Sequence, residues 1–280
     1  MAQTQSGFPV EMPSRAEPKG SAMTETAAPY VNKPAWVDLS SPDVAASAAF
    51  YSRLFGWQVD VSPDPQYGGY AIAKDANGDV AGIGPIQAPG TPPSWMVYIG
   101  TTDAAALGER VAAAGGSVIA PAFDVGDQGR MAVFQDPSGA FVSAWQPAAM
   151  DGFHADGLNE FSWAELSSRA LDKAVAFYAT VFGWQADSAP MGEGQPPYTT
   201  FKLDGENVAG GQDMNPMVPA EMPSYWLIYF GVADVDLSFS TVLDAGGHEM
   251  MPPTEFPGGR FAIVSDPQGA AFGLLRQTPR

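Results

Sequence analysis

Hydrophobic and polar residues alternate over positions 35–40, and this pattern predicts a β-strand. A helical period follows, because apolar residues fall on one helical face at Val44, Ala48, Tyr51 and Phe55. We expect Ser41 to cap this helix, with Pro42 as its first residue, and we expect Gly56 to end it. A strand followed by a helix is therefore the first unit that the pattern predicts.

The pattern continues as short elements separated by turns. The predicted order is strands at 57–61, 69–74 and 80–86, a Pro-rich loop at 85–94, a strand at 95–101, a helix at 103–114 and strands at 117–123, 130–135 and 140–146. This order describes a βαβββ unit that occurs twice in succession. Strands with helices packed on one face imply an α+β fold.

The second half of the chain repeats the first. Residues 36–41, Trp-Val-Asp-Leu-Ser-Ser, are matched by residues 163–168, Trp-Ala-Glu-Leu-Ser-Ser. Residues 136–140, Asp-Pro-Ser-Gly-Ala, are matched by residues 266–270, Asp-Pro-Gln-Gly-Ala. The chain therefore contains four βαβββ units, two in each half.

The repeat divides the chain into domains. The first residues are rich in Pro, Ser, Thr and Ala and have no apolar period, so we expect them to be disordered. The predicted parts are a disordered N-terminal tail (1–32), a first domain (33–147), a linker (148–157) and a second domain (158–277).

Composition excludes several classes of function. The chain has 31 acidic and 13 basic residues, for a net charge of −18, which argues against binding to nucleic acid or to anionic membranes. It has no Cys, so disulfides and thiolate metal sites are absent. No apolar segment is long enough to span a membrane and no signal peptide is visible, so we expect a cytoplasmic protein.

The motifs resemble those of a known family. A strand, Ser-Pro-Asp, a helix ending in Phe-Tyr-x-x-x-Phe-Gly-Trp, and an Asp-Pro-x-Gly-Ala turn before the last strand resemble the vicinal oxygen chelate superfamily. This superfamily contains glyoxalases, bleomycin-resistance proteins and extradiol dioxygenases. The chain looks most like its two-domain actinobacterial glyoxalase-like members. The resemblance implies two tandem domains, in each of which two βαβββ modules form a cupped, eight-stranded mixed sheet with helices outside and the ligand in the cup.

The resemblance also locates where a metal would be held. Members that use a metal bind it with His, Glu or Gln on the first and last strands of paired modules. The matching positions here are Trp36, Trp163, Met96, Leu227, Ser143 and Gly273. None of these is a good ligand for a transition metal. The resemblance therefore implies no cofactor of the usual kind, and a divalent metal with atypical ligands is the alternative.

Strand parity predicts what lines each cup, because residues i and i+2 share a face. Asp38 lies on the face of Trp36, and Glu165 on the face of Trp163. Tyr98 and Tyr229 reach the same faces from the middle strands. We therefore predict Asp38, Glu165, Tyr98 and Tyr229 as catalytic candidates. The predicted substrate-binding residues are Trp36, Met96, Phe141, Ser143, Trp145, Trp163, Leu227 and Gly273.

Structural roles for these residues remain open. The two carboxylates can instead pair with neighbouring strands or with Arg130 and Arg260. Each arginine follows a glycine at a strand start, and we expect it to hold the Asp-Pro turn rather than an anionic ligand. Trp95 and Trp226 have the opposite strand parity, which predicts packing under the helices.

Three hypotheses on function follow. The first is metal-independent proton-transfer chemistry on a hydrophobic, aromatic small molecule: isomerisation, lyase activity, cyclisation or cofactor-free oxidation. The second is a protein that sequesters an aromatic antibiotic, and the third is a metal-dependent glyoxalase or dioxygenase with atypical ligands. The protein is expected to be a monomer or homodimer. The pattern leaves open which cup is active and whether a site forms between the halves.

Overall fold

The computed structural model of the protein describes residues 30–190, 196–215 and 218–278. In these ranges the elements are β1 (Pro34–Ser41), α1 (Val44–Phe55), β2 (Gln58–Val61), β3 (Ala71–Lys74), β4 (Asp79–Pro85), β5 (Ser94–Gly100), α2 (Ala104–Ala113), β6 (Ser117–Val125), β7 (Gly129–Gln135), β8 (Phe141–Pro147), β9 (Phe161–Ser168), α3 (Leu171–Phe182), β10 (Gln185–Ala189), β11 (Tyr198–Leu203), β12 (Glu206–Asp213), β13 (Tyr225–Gly231), α4 (Val235–Asp244), β14 (His248–Phe256), β15 (Gly259–Ser265) and β16 (Ala271–Gln277).

The strands form two eight-stranded mixed sheets of the same topology. The first has the order β2-β3-β4-β1-β5-β8-β7-β6, and the second has the order β10-β11-β12-β9-β13-β16-β15-β14. The first strands of the two modules, β1 and β5, pair antiparallel at the centre, whereas β1 and β4 are parallel. The predicted α+β fold, with two modules in each sheet, is confirmed.

The start of α1 differs from the prediction. Asp43, not Ser41, caps the helix, because its carboxylate accepts from the amide of Ala46 at 3.0 Å. Ser41 instead accepts from the amide of Asp43 through its hydroxyl, and Pro42 precedes the cap. Gly56 ends the helix in the left-handed conformation, as predicted.

The helix-covered backs of the two sheets pack against each other and share one core. Phe55 of α1 contacts Phe230 of β13 with ring centroids 5.1 Å apart, and Trp95 of β5 contacts the same ring at 5.0 Å. Trp95 and Trp226 are buried beneath the helices, which confirms the parity prediction. The opposite faces of the sheets therefore point away from each other, so Asp38 and Glu165 do not share a site between the halves.

Two reciprocal hydrogen bonds join the domains. The Tyr51 hydroxyl of α1 donates to Asp266 at 3.2 Å, and the Tyr178 hydroxyl of α3 donates to Asp136 at 3.0 Å. Both aspartates are buried and also accept from backbone amides of their own turns. The repeated Asp-Pro-x-Gly-Ala turn thus builds the domain interface.

The expectation that the arginines hold these turns is wrong. Arg130 pairs with Asp124 of the neighbouring strand at 2.8 Å, and Arg260 pairs with Asp236 of α4 at 2.7 Å. The turns need no arginine because each aspartate side chain already accepts from amides two and four residues further along.

The packing of residues 30–32 also differs from the prediction that the tail extends to residue 32. Residues 1–29 lie outside the described residues, but residues 30–32 pack on the fold. The Tyr30 hydroxyl donates to the carbonyl of Phe153 at 2.8 Å, and the Trp184 indole donates to the carbonyl of Asn32 at 2.7 Å. Among the described helices, none combines the length and the apolar character needed to cross a membrane.

Candidate functional site

Each sheet has a face that the helices do not cover. In the first sheet this face carries the side chains of Trp36, Asp38, Tyr70, Met96, Tyr98, Ser143 and Trp145, and we call it the first cup. The cup is closed over on one side, because the loop between β2 and β3 folds back across it. The hydroxyl of Tyr67 in this loop lies only 2.4 Å from the point where a Cβ on Gly126 would be, in the turn between β6 and β7. A side chain from the loop at one outer edge of the sheet therefore reaches the turn at the other outer edge.

Asp38 lies at the centre of the first cup and is held by two phenols. The Tyr98 hydroxyl donates to Oδ2 of Asp38 at 2.8 Å. The Tyr70 hydroxyl donates to the same oxygen at a longer 3.5 Å. The Trp36 indole N–H donates to the Tyr70 hydroxyl at 3.0 Å, so the proton of Tyr70 is turned toward the carboxylate.

The second oxygen of Asp38, Oδ1, differs from Oδ2 in its hydrogen bonds. Among the described residues, Oδ1 accepts no side-chain hydrogen bond, and no Lys or Arg pairs with the carboxylate. The alternative that Arg130 neutralises Asp38 is therefore wrong, since Arg130 pairs with Asp124. Asp38 is partly exposed although protein surrounds it, as expected at the floor of a concave surface.

Burial sets the protonation of this group. Desolvation raises the pKa of Asp38 to about 6, and the hydrogen bonds from Tyr98 and Tyr70 oppose part of that rise. Burial, with the nearby Asp38 charge, raises the pKa of both tyrosines well above the usual value. At neutral pH the cup therefore holds an ionised carboxylate next to two neutral phenols, which is a base beside two hydrogen-bond donors.

Sequence reasoning missed Tyr70. It falls in the strand predicted at 69–74, whose residues strand parity did not assign to a cup, and in the structure it precedes β3. A signal was available in the repeat, because Tyr70 and Gly82 correspond to Tyr198 and Gly210. A Cβ at Gly82 would lie 1.7 Å from the Tyr70 hydroxyl, and one at Gly210 would lie 1.9 Å from that of Tyr198. Glycine at these positions leaves room for the phenol.

We expect Gly82→Ala to destabilise the protein by about 1–3 kcal/mol, because the new methyl group displaces the Tyr70 hydroxyl from a packed position. Gly108→Ala is the matched control, since a Cβ there meets its nearest atom at an ordinary 3.8 Å and lies within α2. The control should be neutral or more stable by up to about 1 kcal/mol. Urea denaturation of both variants measures this, and equal stability of Gly82→Ala and wild type would contradict the placement of Tyr70.

The second sheet repeats the arrangement with changes. We call its uncovered face the second cup, and it carries Trp163, Glu165, Tyr198, Gln212, Leu227, Tyr229, Phe261, Gly273 and Leu275. The Trp163 indole donates to the Tyr198 hydroxyl at 2.9 Å. Tyr198 lies near Glu165, and burial together with that neighbouring charge raises the pKa of Tyr198 well above its usual value. The Tyr229 hydroxyl donates to Glu165 at 3.3 Å. Burial raises the pKa of Glu165, and its hydrogen bonds oppose that rise.

Gln212 is the second residue that the sequence did not predict. Its amide donates to Oε1 of Glu165 at 2.9 Å. The strand register places it opposite Ser167, where the first sheet has Gly84 opposite Ser40. Glu165 therefore accepts from an amide and a phenol, whereas Asp38 accepts from two phenols.

Most of the remaining predicted residues lie where parity placed them. Ser143 is buried beside Tyr98 on the neighbouring strand, and Tyr229 lies over Gly273, where a Cβ would come within 2.0 Å of its ring. Phe141 differs, because it is the first residue of β8 and 42% exposed, at the rim of the sheet.

The residues of the cups do not fit a divalent metal. At the positions that correspond to metal ligands in the family, the donor set consists of indole, thioether, hydroxyl, aliphatic and glycine groups. Within the described ranges, no three His, Cys, Asp or Glu side chains are grouped closely enough to hold an ion. Asp38 and Glu165 are each surrounded by phenols where a metal site would need further ligands, so neither cup offers a transition metal a suitable donor set.

Two sheets with helix-covered backs and aromatic cups define a duplicated α+β protein. The chain belongs to the Glyoxalase/Bleomycin resistance protein/Dioxygenase superfamily, whose model matches residues 33–143 and 160–274. The resemblance drawn from the motifs is confirmed.

Relatives and solved structures agree with this family. The chain is 40% identical over 255 residues to CFP32 of Mycobacterium tuberculosis, a glyoxylase by name, covering 88% of this chain and 95% of the relative. It is 37% identical over 258 residues to the anthracycline biosynthesis protein DnrV of Streptomyces peucetius, covering 86% and 92%.

The solved structures are more distant in sequence and share the fold. The Mn(II)-bound glyoxalase of Novosphingobium aromaticivorans has a TM-score of 0.62 at 17% identity, covering 88% of this chain and 82% of that chain. The 2,3-dioxygenase LapB of Pseudomonas sp. KL28 has a TM-score of 0.61 at 14% identity, covering 89% and 93%.

Proposed function

We propose that the first cup binds a hydrophobic, aromatic small molecule of the secondary-metabolite type and catalyses proton transfer on it without a metal. Asp38 is the base, and Tyr98 and Tyr70 are the donors that stabilise the anion formed. The observation that carries this proposal is a carboxylate at the floor of the cup whose Oδ2 accepts from two phenols, whose Oδ1 accepts from no described side chain, and which pairs with no described Lys or Arg.

The proposed step is the removal of a proton from a carbon that is next to a carbonyl group or conjugated with it through an aromatic ring, as in anthrone. Oδ1 of Asp38 takes the proton, and the electron pair of the C–H bond moves to the carbonyl oxygen, which becomes an enolate. The neutralised carboxyl no longer attracts both phenol protons. One hydroxyl can then turn to the enolate oxygen and stabilise its charge. Delivery of a proton or deuteron from solvent to the same carbon gives hydrogen exchange, and delivery to another carbon gives isomerisation.

The walls of the cup support the ligand class. Trp36, Trp145 and Tyr98 line the first cup as largely buried aromatic side chains, and the polar groups among them are few and close together. DnrV belongs to anthracycline biosynthesis by name, which supports a polycyclic aromatic ligand for this chain as well.

A second candidate function is sequestration of such a ligand without reaction. It is favoured by the presence of two aromatic cups in one chain, since a binding protein gains capacity from both. It requires the aromatic walls and does not require Asp38.

Anthrone, a flat tricyclic ketone with an acidic CH₂ group, distinguishes the two functions. We expect the wild-type protein to exchange this group with deuterium oxide faster than buffer does, measured by mass spectrometry under nitrogen. The rate should rise with pH through about 6 and then level, because the pKa of Asp38 is raised to about 6 by burial and only the ionised form accepts a proton. Binding without faster exchange would refute catalysis and support sequestration.

A further inference from the structure

The wall of the first cup is almost completely covered by protein. Four of its residues are exposed by 6% or less: Trp36, Tyr98, Ser143 and Trp145. A small molecule that is to contact this wall must first reach it, so part of the protein around the cup has to move. The inference drawn from this cover rests on the proposed function in one respect only, namely that a small molecule enters the first cup.

The segment that bridges the mouth of this cup is the loop 62–69 between β2 and β3. Its tip is Tyr67, whose hydroxyl reaches Gly126 in the turn after β6, at the opposite edge of the sheet. Among the described residues, the hydrogen bonds of residues 62–69 all stay within residues 62–70. Most of the loop is also exposed. A segment tied so weakly to the rest of the fold belongs to the part that opens most easily.

Two glycines lie directly after the tip. Gly68 and Gly69 have φ angles of +59° and +86°, and a Cβ on either would meet no atom of the described residues within 4 Å. Glycine is therefore required here by the backbone conformation and not by lack of space. Two consecutive glycines also permit large changes of φ and ψ, which is the property of a hinge.

The second sheet has no such hinge before its corresponding tyrosine. Tyr198 corresponds to Tyr70, and the two residues before it, 196–197, are both proline. Proline fixes φ at about −65° and cannot supply this freedom. The glycine pair is therefore a feature of the first cup, which contains the proposed base Asp38.

The hinge separates Tyr67 from Tyr70. At the base of the loop the amide of Ser62 donates to the carbonyl of Tyr70 at 2.9 Å, and the Trp36 indole donates to the Tyr70 hydroxyl at 3.0 Å. Tyr70 is thus held by contacts that do not involve the tip. The tip can therefore move while the Tyr70 hydroxyl remains at Asp38.

We propose that residues 62–69 form a hinged lid on the first cup. In the closed state Tyr67 lies against Gly126 and the wall is covered, and rotation at Gly68 and Gly69 opens the way for a flat aromatic molecule. The lid sets the rate at which the ligand enters. Its closure excludes water from Asp38 while the proton is transferred.

Thiol labelling of Ser143→Cys measures opening of the lid without any ligand. The chain has no cysteine of its own, and Ser143 is fully buried in the wall of the cup. Monobromobimane, a small flat thiol reagent, should label this cysteine slowly, because it reaches the thiol only when the lid is open. Gly69→Ala in the same background strains the closed loop, since a residue with a Cβ disfavours a positive φ, and should speed labelling by about fivefold or more.

Gly205→Ala is the matched control. Gly205 has the same φ of +86° and equally open surroundings, but it lies in the turn between β11 and β12 of the second domain. It should leave the labelling rate within about twofold of that of Ser143→Cys alone. Tyr67→Ala is a second lid variant, which removes the tip and should speed labelling as Gly69→Ala does. Thermal melting shows whether each variant is folded.

The outcomes keep the lid and the proposed function apart. Faster labelling in both Gly69→Ala and Tyr67→Ala than in Gly205→Ala supports the lid. A rate in either lid variant that matches the control overturns it, and exchange of anthrone by wild type would still support the proposed function. Faster labelling in both lid variants without anthrone exchange by wild type supports the lid and overturns the proposed function.

Discussion

Asp38→Asn is expected to slow deuterium exchange of anthrone by about 10²–10⁴-fold, the usual contribution of a positioned base. The amide has nearly the shape of the carboxylate, but it cannot accept a proton at neutral pH. Tyr98 and Tyr70 can still donate to the amide oxygen, so the walls of the cup keep their positions. We therefore expect the dissociation constant of anthrone to change by less than about threefold while the rate is lost.

Asp244→Asn is the matched control for this experiment. It makes the same chemical change at the exposed last residue of α4, outside both cups. Its exchange rate and its pH profile should equal those of wild type. An Asp38→Asn protein that exchanges anthrone at the wild-type rate would show that Asp38 is not the base. Equal loss of anthrone binding and anthrone exchange would mean that the carboxylate of Asp38 contributes to binding and not to proton transfer.

Tyr178→Phe is expected to lower the free energy of unfolding by about 2–3 kcal/mol, a large change for the loss of one oxygen atom. The hydroxyl donates to Oδ2 of the buried Asp136 in the other domain and accepts from the indole of Trp226 at 2.9 Å. Its removal leaves a buried carboxylate oxygen and a buried N–H without these partners. Tyr51→Phe should act in the same way through Asp266 and Trp95.

Urea denaturation of these variants should also show a single transition. The two domains share one core, so the loss of either hydrogen bond destabilises both at once. Tyr67→Phe is the control, because the Tyr67 hydroxyl makes no hydrogen bond with a described side chain, and its effect should stay within about 0.5 kcal/mol. Separate transitions of two domains, or an effect of Tyr178→Phe no larger than the control, would contradict the interface.

The duplication and the alternation pattern predicted much of the architecture. Period-two alternation assigns each strand residue to a face, so the neighbours Trp36, Asp38 and Tyr98 could be placed on one surface before any contact was known. The Asp-Pro turn is a recognisable motif, but the sequence does not identify its partner, because Tyr178 lies 42 residues away in the other domain. Contacts of this kind depend on how the two sheets pack against each other, and a local sequence pattern does not specify that packing.

The amino-acid sequence by itself determined the strand faces, the two-fold repeat and the apolar character of the cups, because these follow from local periodicity. Tertiary structure alone decided that the loop before β3 folds back to bring Tyr70 to Asp38, that Gln212 reaches Glu165, and that Phe153 covers one indole but not the other. These contacts join residues whose spacing along the chain says nothing about their distance in space. The two cups share a Trp, a carboxylate and two Tyr in sequence, and the contacts of Phe153 and Gln212 make them different.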